Sequence, residues 1–379
     1  MKFLHTSDLH IGKKIFECSL YEDQKHMLSE IHRIAVEEQV DAVVIAGDIY
    51  DRSMPPTEAV ELLDDFLTEL ISKKIPVIMI SGNHDSPERV GFGGKILEKQ
   101  GLYIGGAYDG GLRKVSLQNG EKETVFVCLP FVKPGVVGKN NCQEAVAEIL
   151  NRENIDFQDG KQYVLITHYF VTGETGQMPE LSDSETGAFV GGIDNVTADV
   201  FGGFAYVALG HIHKSQKVGE GEIYYSGTPM KYSFSEANQT KTVNIVEIGE
   251  DNRVSVEKKP VKPYLEMRVI KGELSALIQP EVVNAEGVNP EDYIQAILTD
   301  KDALIDPIGT LRSVYPNVLQ IVLEKNYSVK EELYSSSFRA QQKSIQELFG
   351  EFYHMLAGEE LSEEQAAAVD AAAREAGEE

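Results

Sequence analysis

Only three cysteines occur in 379 residues, Cys18, Cys128 and Cys142. The number is odd, the spacing is wide, and no Cys-x-x-Cys pair exists. A disulfide framework and a thiolate zinc site are both excluded as expectations. No apolar run approaches the roughly 20 residues that a membrane span requires. The stretch Met1–Asp8 reads as a short strand running into polar residues, without the long apolar core of a secretory signal. The expectation is a cytoplasmic protein without a membrane anchor. Positive charge is also scarce: 35 Lys and Arg stand against 61 Asp and Glu, for a net charge of -26. Residues 359–379 carry -7 of this, which leaves -19 on the rest. Such a chain does not grip nucleic acid through its own charge, because neutralising phosphate needs Lys and Arg. Any polyanionic substrate must be held by local patches, bound metal ions or a partner.

What is present is a 42% hydrophobic chain, enough for one large core and a smaller second unit. The first ~240 residues alternate strand-like and helix-like runs, the signature of an α/β domain. Strands are expected at Lys2–Thr6, Ala42–Ala46, Val77–Ser81, Val125–Leu129, Val164–Thr167 and Tyr206–Leu209. Helical spacing joins Met27, Leu28, Ile31, Ile34 and Ala35. It also joins Val60, Leu63, Phe66, Leu67, Leu70 and Ile71, in a helix with Thr57 as its expected N-cap. A third helix is expected over Gln143–Asn151. Lys259-Pro260-Val261-Lys262-Pro263 reads as a linker. Beyond it come strands at Leu265–Ile270, Tyr293–Leu298 and Val318–Leu323 around a helix near Ile308–Val314. A final apolar stripe comprises Ile345, Leu348, Phe349, Phe352, Tyr353 and Leu356, and Ser362 with Gln365 suggests a capping box. The expected domains are 1–257, 264–325 and a C-terminal helical segment with an acidic tail over 326–379.

Five of the strands end in polar clusters of one kind. These are Asp8-Leu9-His10, Gly47-Asp48-Ile49-Tyr50-Asp51-Arg52, Gly82-Asn83-His84-Asp85, His168 and Gly210-His211-Ile212-His213. Five of the nine histidines fall within them. If the strands alternate with helices, their C-terminal ends lie along one edge, where open α/β sheets bind ligands. Carboxylate, amide oxygen and imidazole together suit Mn²⁺, Fe²⁺, Zn²⁺ or Mg²⁺. Alternate residues of an extended segment point the same way, so Asp8 and His10 can face one site, and His211 and His213 another side of it. One carboxylate can bridge two cations ~3.5–4 Å apart. Glycines beside Asp48, Asn83 and His211 allow tight turns beneath the metals. Taken singly, each cluster is an ordinary polar turn. Their conjunction, each after an apolar run, is what points to a metal centre.

These residues resemble the metallophosphoesterase superfamily, whose motifs run Asp-x-His, Gly-Asp, Gly-Asn-His, His, Gly-His-x-His. The resemblance implies a β-sandwich flanked by helices, with a small α+β capping domain and a C-terminal helical segment. It implies that Asp8, His10, Asp48 and His213 hold a first metal. Asp48 would bridge to a second, completed by Asn83, His168 and His211. His84 would be the catalytic acid, protonating the leaving oxygen while the cations activate water and stabilise phosphoryl charge. Asp51 would orient His84, and Arg52 and Arg89 would contact phosphate.

Further segments narrow the family. His5-Thr6-Ser7-Asp8-Leu9-His10-Ile11-Gly12 and Ala46–Pro56 are similar to the bacterial SbcD family of exonuclease subunits. So is Tyr225-Ser226-Gly227-Thr228-Pro229 followed by Ser233-Phe234-Ser235-Glu236. That resemblance implies a nuclease acting on duplex DNA ends and hairpins with two divalent ions, Mn²⁺ foremost. It also implies a homodimer of nuclease subunits and an SbcC-like coiled-coil ATPase partner. The stripe from Ile345 to Leu356 would dock that partner. The alternatives are a cyclic-nucleotide or small-molecule phosphodiesterase on the same scaffold, and a non-catalytic assembly scaffold. The complete ligand set argues against the last.

Overall fold

The computed structural model describes residues 1–120, 122–182, 185, 195–324, 353, 361, 362, 365, 366 and 369. By its contacts the chain divides into one unit of Met1–Val269 with Glu291–Ile294 and a second of Ile270–Pro290 with the chain from Gln295 onward.

The first unit is built on two six-stranded sheets. Its strands are β1 (Lys2–Thr6), β2 (Ala42–Ala46), β3 (Val77–Ile80), β4 (Leu102–Gly105), β5 (Arg113–Asn119), β6 (Lys122–Leu129) and β7 (Gln162–His168). They continue with β8 (Tyr206–Gly210), β9 (Gln216–Lys217), β10 (Ile223–Tyr225), β11 (Thr242–Ile248) and β12 (Val254–Pro260). One sheet runs β12-β11-β1-β2-β3-β4, the other β9-β10-β8-β7-β6-β5. Strands β1 to β4 pair in parallel, as do β6, β7, β8 and β10. The helices α1 (Tyr21–Glu37) and α2 (Thr57–Ser72) lie on the first sheet, and α3 (Cys142–Glu153) on the second.

The pleat assigns each residue a layer. In β2, Ala42, Val44 and Ala46 turn to the interior between the sheets, while Val43 and Ile45 meet the helices. In β3, Ile78 and Ile80 turn inward and Val77 and Met79 outward. Both faces are buried, so the strands read as continuous apolar runs rather than alternating ones. Between the sheets, the Phe3 ring meets Phe126 and Tyr206 edge-on, with centroids 5.3 and 5.6 Å away. Helix periodicity gives α1 and α2 one apolar stripe each, and both stripes join the same core cluster.

Several expectations need correction. The first sheet also takes in β11 and β12, and the second takes in β5, none of which the sequence pattern picked out. Strand β12 runs through Lys259 and Pro260, and Val261 is buried, so the supposed linker begins as a strand. Pro260 is tolerated because it is the last residue of an edge strand, where its missing N–H breaks no ladder. The expected boundary at residue 257 lies inside the same strand. Thr57 is the first residue of α2, not its cap; Pro56 precedes it in extended conformation, and no side chain caps the helix. The cap at α3 is instead Asn141, whose side chain accepts from the Glu144 N–H.

Beyond Pro260 the chain is α+β, and β13 (Met267–Gly272), β14 (Tyr293–Leu298) and β15 (Val318–Leu323) form a sheet in that order. Helix α4 (Pro307–Arg312) starts at Asp306, whose side chain accepts from the Gly309 N–H. The expected capping box is formed: Ser362 N–H donates to Gln365 Oε1 at 2.9 Å and Gln365 N–H to Ser362 Oγ at 3.3 Å. Of the apolar stripe, Tyr353 alone is described; Ile345, Leu348, Phe349, Phe352 and Leu356 lie outside the described residues.

Phe126 is fully buried at the meeting of both sheets. Phe126→Ala should lower the unfolding free energy by about 3–5 kcal/mol, measured by urea denaturation.

Candidate functional site

The C-terminal ends of β1, β2, β3, β7 and β8 carry the polar clusters. The first three belong to one sheet and the last two to the other. The site is therefore not on one edge of a single sheet, as expected, but where the parallel ends of two sheets meet. The sheets touch there directly: the His168 Nδ1 is 2.8 Å from the Ala46 carbonyl. Glycine is required for this approach. A Cβ on Gly210 would sit 2.0 Å from the Ala46 carbonyl oxygen, and one on Gly82 would sit 2.2 Å from Asp48 Oδ1.

Asp8 and His10 share a site, but not through strand alternation. Strand β1 ends at Thr6, and both residues adopt left-handed φ, +53° and +44°. Asp48 (+48°) and His211 (+104°) do so too. Each such residue costs about 1–3 kcal/mol, so the surroundings must hold it. Gln24 of α1 does this for the first turn. Its Nε2 donates to the His10 carbonyl at 2.8 Å, and its Oε1 accepts from Gly12 N–H at 2.9 Å. Tyr232, which donates to the Leu9 carbonyl, stacks edge-on against His10. Neither Gln24 nor Tyr232 stood out in sequence, since nothing in the local pattern links residues 208 positions apart.

The structure brings together all seven residues named as ligands. Asp48 is central. Its Oδ2 lies 3.3 Å from His168 Nε2, 3.9 Å from His84 Nε2 and 4.0 Å from His10 Nε2. Asp8 Oδ1 is 4.0 Å from His168 Nε2. The Asn83 amide oxygen faces His168 Nε2 at 2.9 Å and His211 Nδ1 at 3.1 Å. His10 and His213 point their Nε2 atoms at each other, 3.3 Å apart. Three groups of donors have ligand atoms within 4.8 Å of one another: Asp8 with His10 and His213, His10 with Asp48 and His84, and Asp8 with Asp48 and His168. The donor set fits divalent metal ions. Carboxylate oxygens, an amide oxygen and imidazole nitrogens converging on one space are the donor types that such ions take.

These buried groups shift one another's protonation in both directions. Burial pushes the Asp8 carboxyl up to about 6, with His168 opposing. Burial also works to raise Asp48, but His168, His10 and His84 outweigh it and hold that carboxyl well below the usual range. Burial lowers His10, and it lowers His211 to about 3, which keeps their lone pairs available as ligands. Burial opposes the charge on His168 as well, yet the carboxylates of Asp48 and Asp8 lift it to about 9.

His84 is 41% exposed, unlike the buried Asp8, His10, Asp48, His168 and His213. Its Nδ1 faces the main-chain carbonyl of Asp51 at 2.9 Å. The Asp51 carboxylate itself is engaged elsewhere, accepting from Lys13 at 2.8 Å. Any orienting of His84 by Asp51 thus runs through the backbone. Arg52 extends into solvent, 81% exposed, and Arg89 is exposed on the turn Pro87–Val90. The sequence reading missed Asp85, which is buried and accepts from the N–H groups of Ile49, Tyr50 and Gly82 at 3.1, 3.0 and 2.8 Å. It ties the Asp48 turn to the Asn83–His84 turn. Asp85→Asn leaves fewer acceptors for three buried donors. It should cost about 2–4 kcal/mol of stability, scaled from charged hydrogen bonds, read from a denaturant midpoint.

Known proteins share these motifs. The calcineurin-like phosphoesterase family model matches residues 1–215. Residues 263–355 match the model described as the type 5 capsule protein repressor C-terminal domain, SbcD_C. The SbcD component of nuclease SbcCD from Staphylococcus epidermidis is 32% identical over 96% of this chain and 96% of its own length. The protein of the same name from Staphylococcus saprophyticus is 30% identical, over 98% of this chain and 97% of its own. Among the described residues, no helix is long and apolar enough to cross a membrane. The chain belongs to the calcineurin-like phosphoesterases and, within them, to the SbcD family of nuclease subunits.

Proposed function

We propose that this protein is the nuclease subunit of an SbcCD-like complex, hydrolysing phosphodiester bonds at duplex DNA ends and hairpins. The observation that carries the reading is Asp48, a buried carboxylate faced by His10, His84 and His168 within 4.0 Å. Asp8, His10, Asp48 and His213 hold one divalent ion, and Asp48, Asn83, His168 and His211 a second, both Mn²⁺ by preference over Mg²⁺, Fe²⁺ or Zn²⁺. When bound, such a pair supplies an activated water and neutralises charge on the phosphoryl oxygens.

The remaining chemistry falls to the chain. His84 is the general acid. Its exposed ring can reach a substrate oxygen, and the Asp51 carbonyl at 2.9 Å favours a proton on Nδ1. In its protonated form the ring gives the Nε2 proton to the leaving oxygen. Arg52 and Arg89 contact substrate phosphates. Our assignment is a nuclease domain, expected over 1–257 and extended by β12 to Pro260, a cap over 264–325 and a C-terminal segment over 326–379. With a net charge of -26 on the chain, DNA grip falls to a basic partner together with the metal ions. That partner is an SbcC-like coiled-coil ATPase, docked by the stripe Ile345, Leu348, Phe349, Phe352, Tyr353 and Leu356, in a cytoplasmic assembly with two copies of the nuclease subunit. The names of the two relatives support a complex of this kind.

The direct test is cleavage of end-labelled duplex and hairpin DNA in Mn²⁺, with and without the ATPase. Hydrolysis of bis-p-nitrophenyl phosphate or a cyclic nucleotide with no cleavage of any DNA would overturn the reading. Asp48→Asn should abolish nearly all cleavage and weaken Mn²⁺ binding, followed by calorimetric titration. His84→Gln should slow cleavage about 100- to 10,000-fold while Mn²⁺ still binds; loss of the metal would make His84 a ligand instead.

A further inference from the structure

Behind His213 lies a buried ion pair that the catalytic reading does not use. Glu236 ends the short turn Phe234–Glu236 and is fully buried, and Lys241 is 7% exposed. The two oxygens of Glu236 face different partners. Oε2 lies 2.6 Å from the Lys241 ammonium, and Oε1 lies 3.6 Å from Nδ1 of His213. The same ammonium donates to the His213 carbonyl at 3.0 Å. Thr228 N–H donates to that carbonyl too, at 3.1 Å, and the His213 N–H donates to the buried Glu185.

The main chain of His213 is thus pinned at both its N–H and its C=O. Its ring has one edge toward a buried carboxylate and the other toward the donors Asp8 and His10. An imidazole so placed keeps its proton on the carboxylate side and its lone pair on the other. A buried pair is a poor source of stability, since apolar residues of similar volume do as well or better. Its use here is to aim a ring.

We propose that Glu236 and Lys241 are positioning residues for His213, holding the imidazole with its proton on Nδ1 and its Nε2 lone pair turned into the cluster. The proposal deepens the metal-centre reading of the site and rests on it. Lys241 fixes the backbone of His213, and Glu236 fixes the tautomer and plane of its ring.

The test uses full-length protein and two variants, Glu236→Gln and Glu236→Gln combined with Lys241→Met. Three readouts are needed: thermal unfolding without metal, Mn²⁺ titration by calorimetry, and nitrogen NMR of labelled histidine in metal-free protein. The single variant should unfold earlier, because it leaves the Lys241 charge without its partner, and should bind Mn²⁺ about 10–100-fold more weakly. The double variant removes both charges and should regain stability, while the weakened binding persists. Wild-type affinity in the double variant would reduce the pair to a structural brace and overturn the proposal. So would a His213 ring with no proton on Nδ1 in metal-free wild type. If wild type binds no Mn²⁺ at all, the metal-centre reading falls and this proposal with it. If wild type binds and neither variant is weakened, the proposal alone falls.

Discussion

Two carboxylates, Asp8 and Asp48, are buried among imidazoles where the parallel strands of two mixed sheets end. Burying charge this way is expensive, and it is sustained only by neighbours that complement it. Among the imidazoles His168 comes nearest to Asp48, fully buried with one ring nitrogen on the Ala46 carbonyl and the other facing Asp48 and Asn83. Both sheets contribute to that contact. The sandwich is therefore not a passive support: its two halves must register correctly before the cluster exists at all.

The alternative arrangement, a conventional open sheet with ligands along one edge, would need all five strand ends in one layer. The observed division of β1, β2 and β3 from β7 and β8 distributes the candidate ligands over two walls instead. Under the proposed two-ion reading, each cation would be approached by side chains from both walls. Asp8 and Asp48 come from one sheet, His168 and His211 from the other, with the Asn83 amide between those two rings. The family's divalent-metal chemistry has a natural seat in this arrangement.

Much of this was legible in the sequence, and the reasons are physical. Strands buried on both faces give unbroken apolar runs, so β1 and β2 were readable to the residue. A polar cluster after each run is conspicuous, and so the ligand types could be named without knowing their spacing in space. What stayed hidden was long-range or conformational. The edge strands β5 and β12 are partly exposed, and their mixed polar pattern resembles loop. Left-handed φ at Asp8, His10, Asp48 and His211 has no local signature, because tertiary contacts such as the Gln24 clamp impose it. Asp85 and Glu236 act on backbone donors or on a ring from distant or looped segments, and a carboxylate's target cannot be inferred from its neighbours in the chain.

The interior between the sheets is graded in bulk along the strands. Phe3, Phe126 and Tyr206 fill one end, whereas Ala46, Ala208 and Gly210 stand at the other. Large rings fill the interior at the far end, and small residues let His168 reach the Ala46 carbonyl beside the cluster. One interior layer thus runs from the hydrocarbon core up to the cluster itself. Changes in the volume of residues that touch no ligand would be transmitted to the separation of the two walls, so the geometry of the chemistry is partly written in the core.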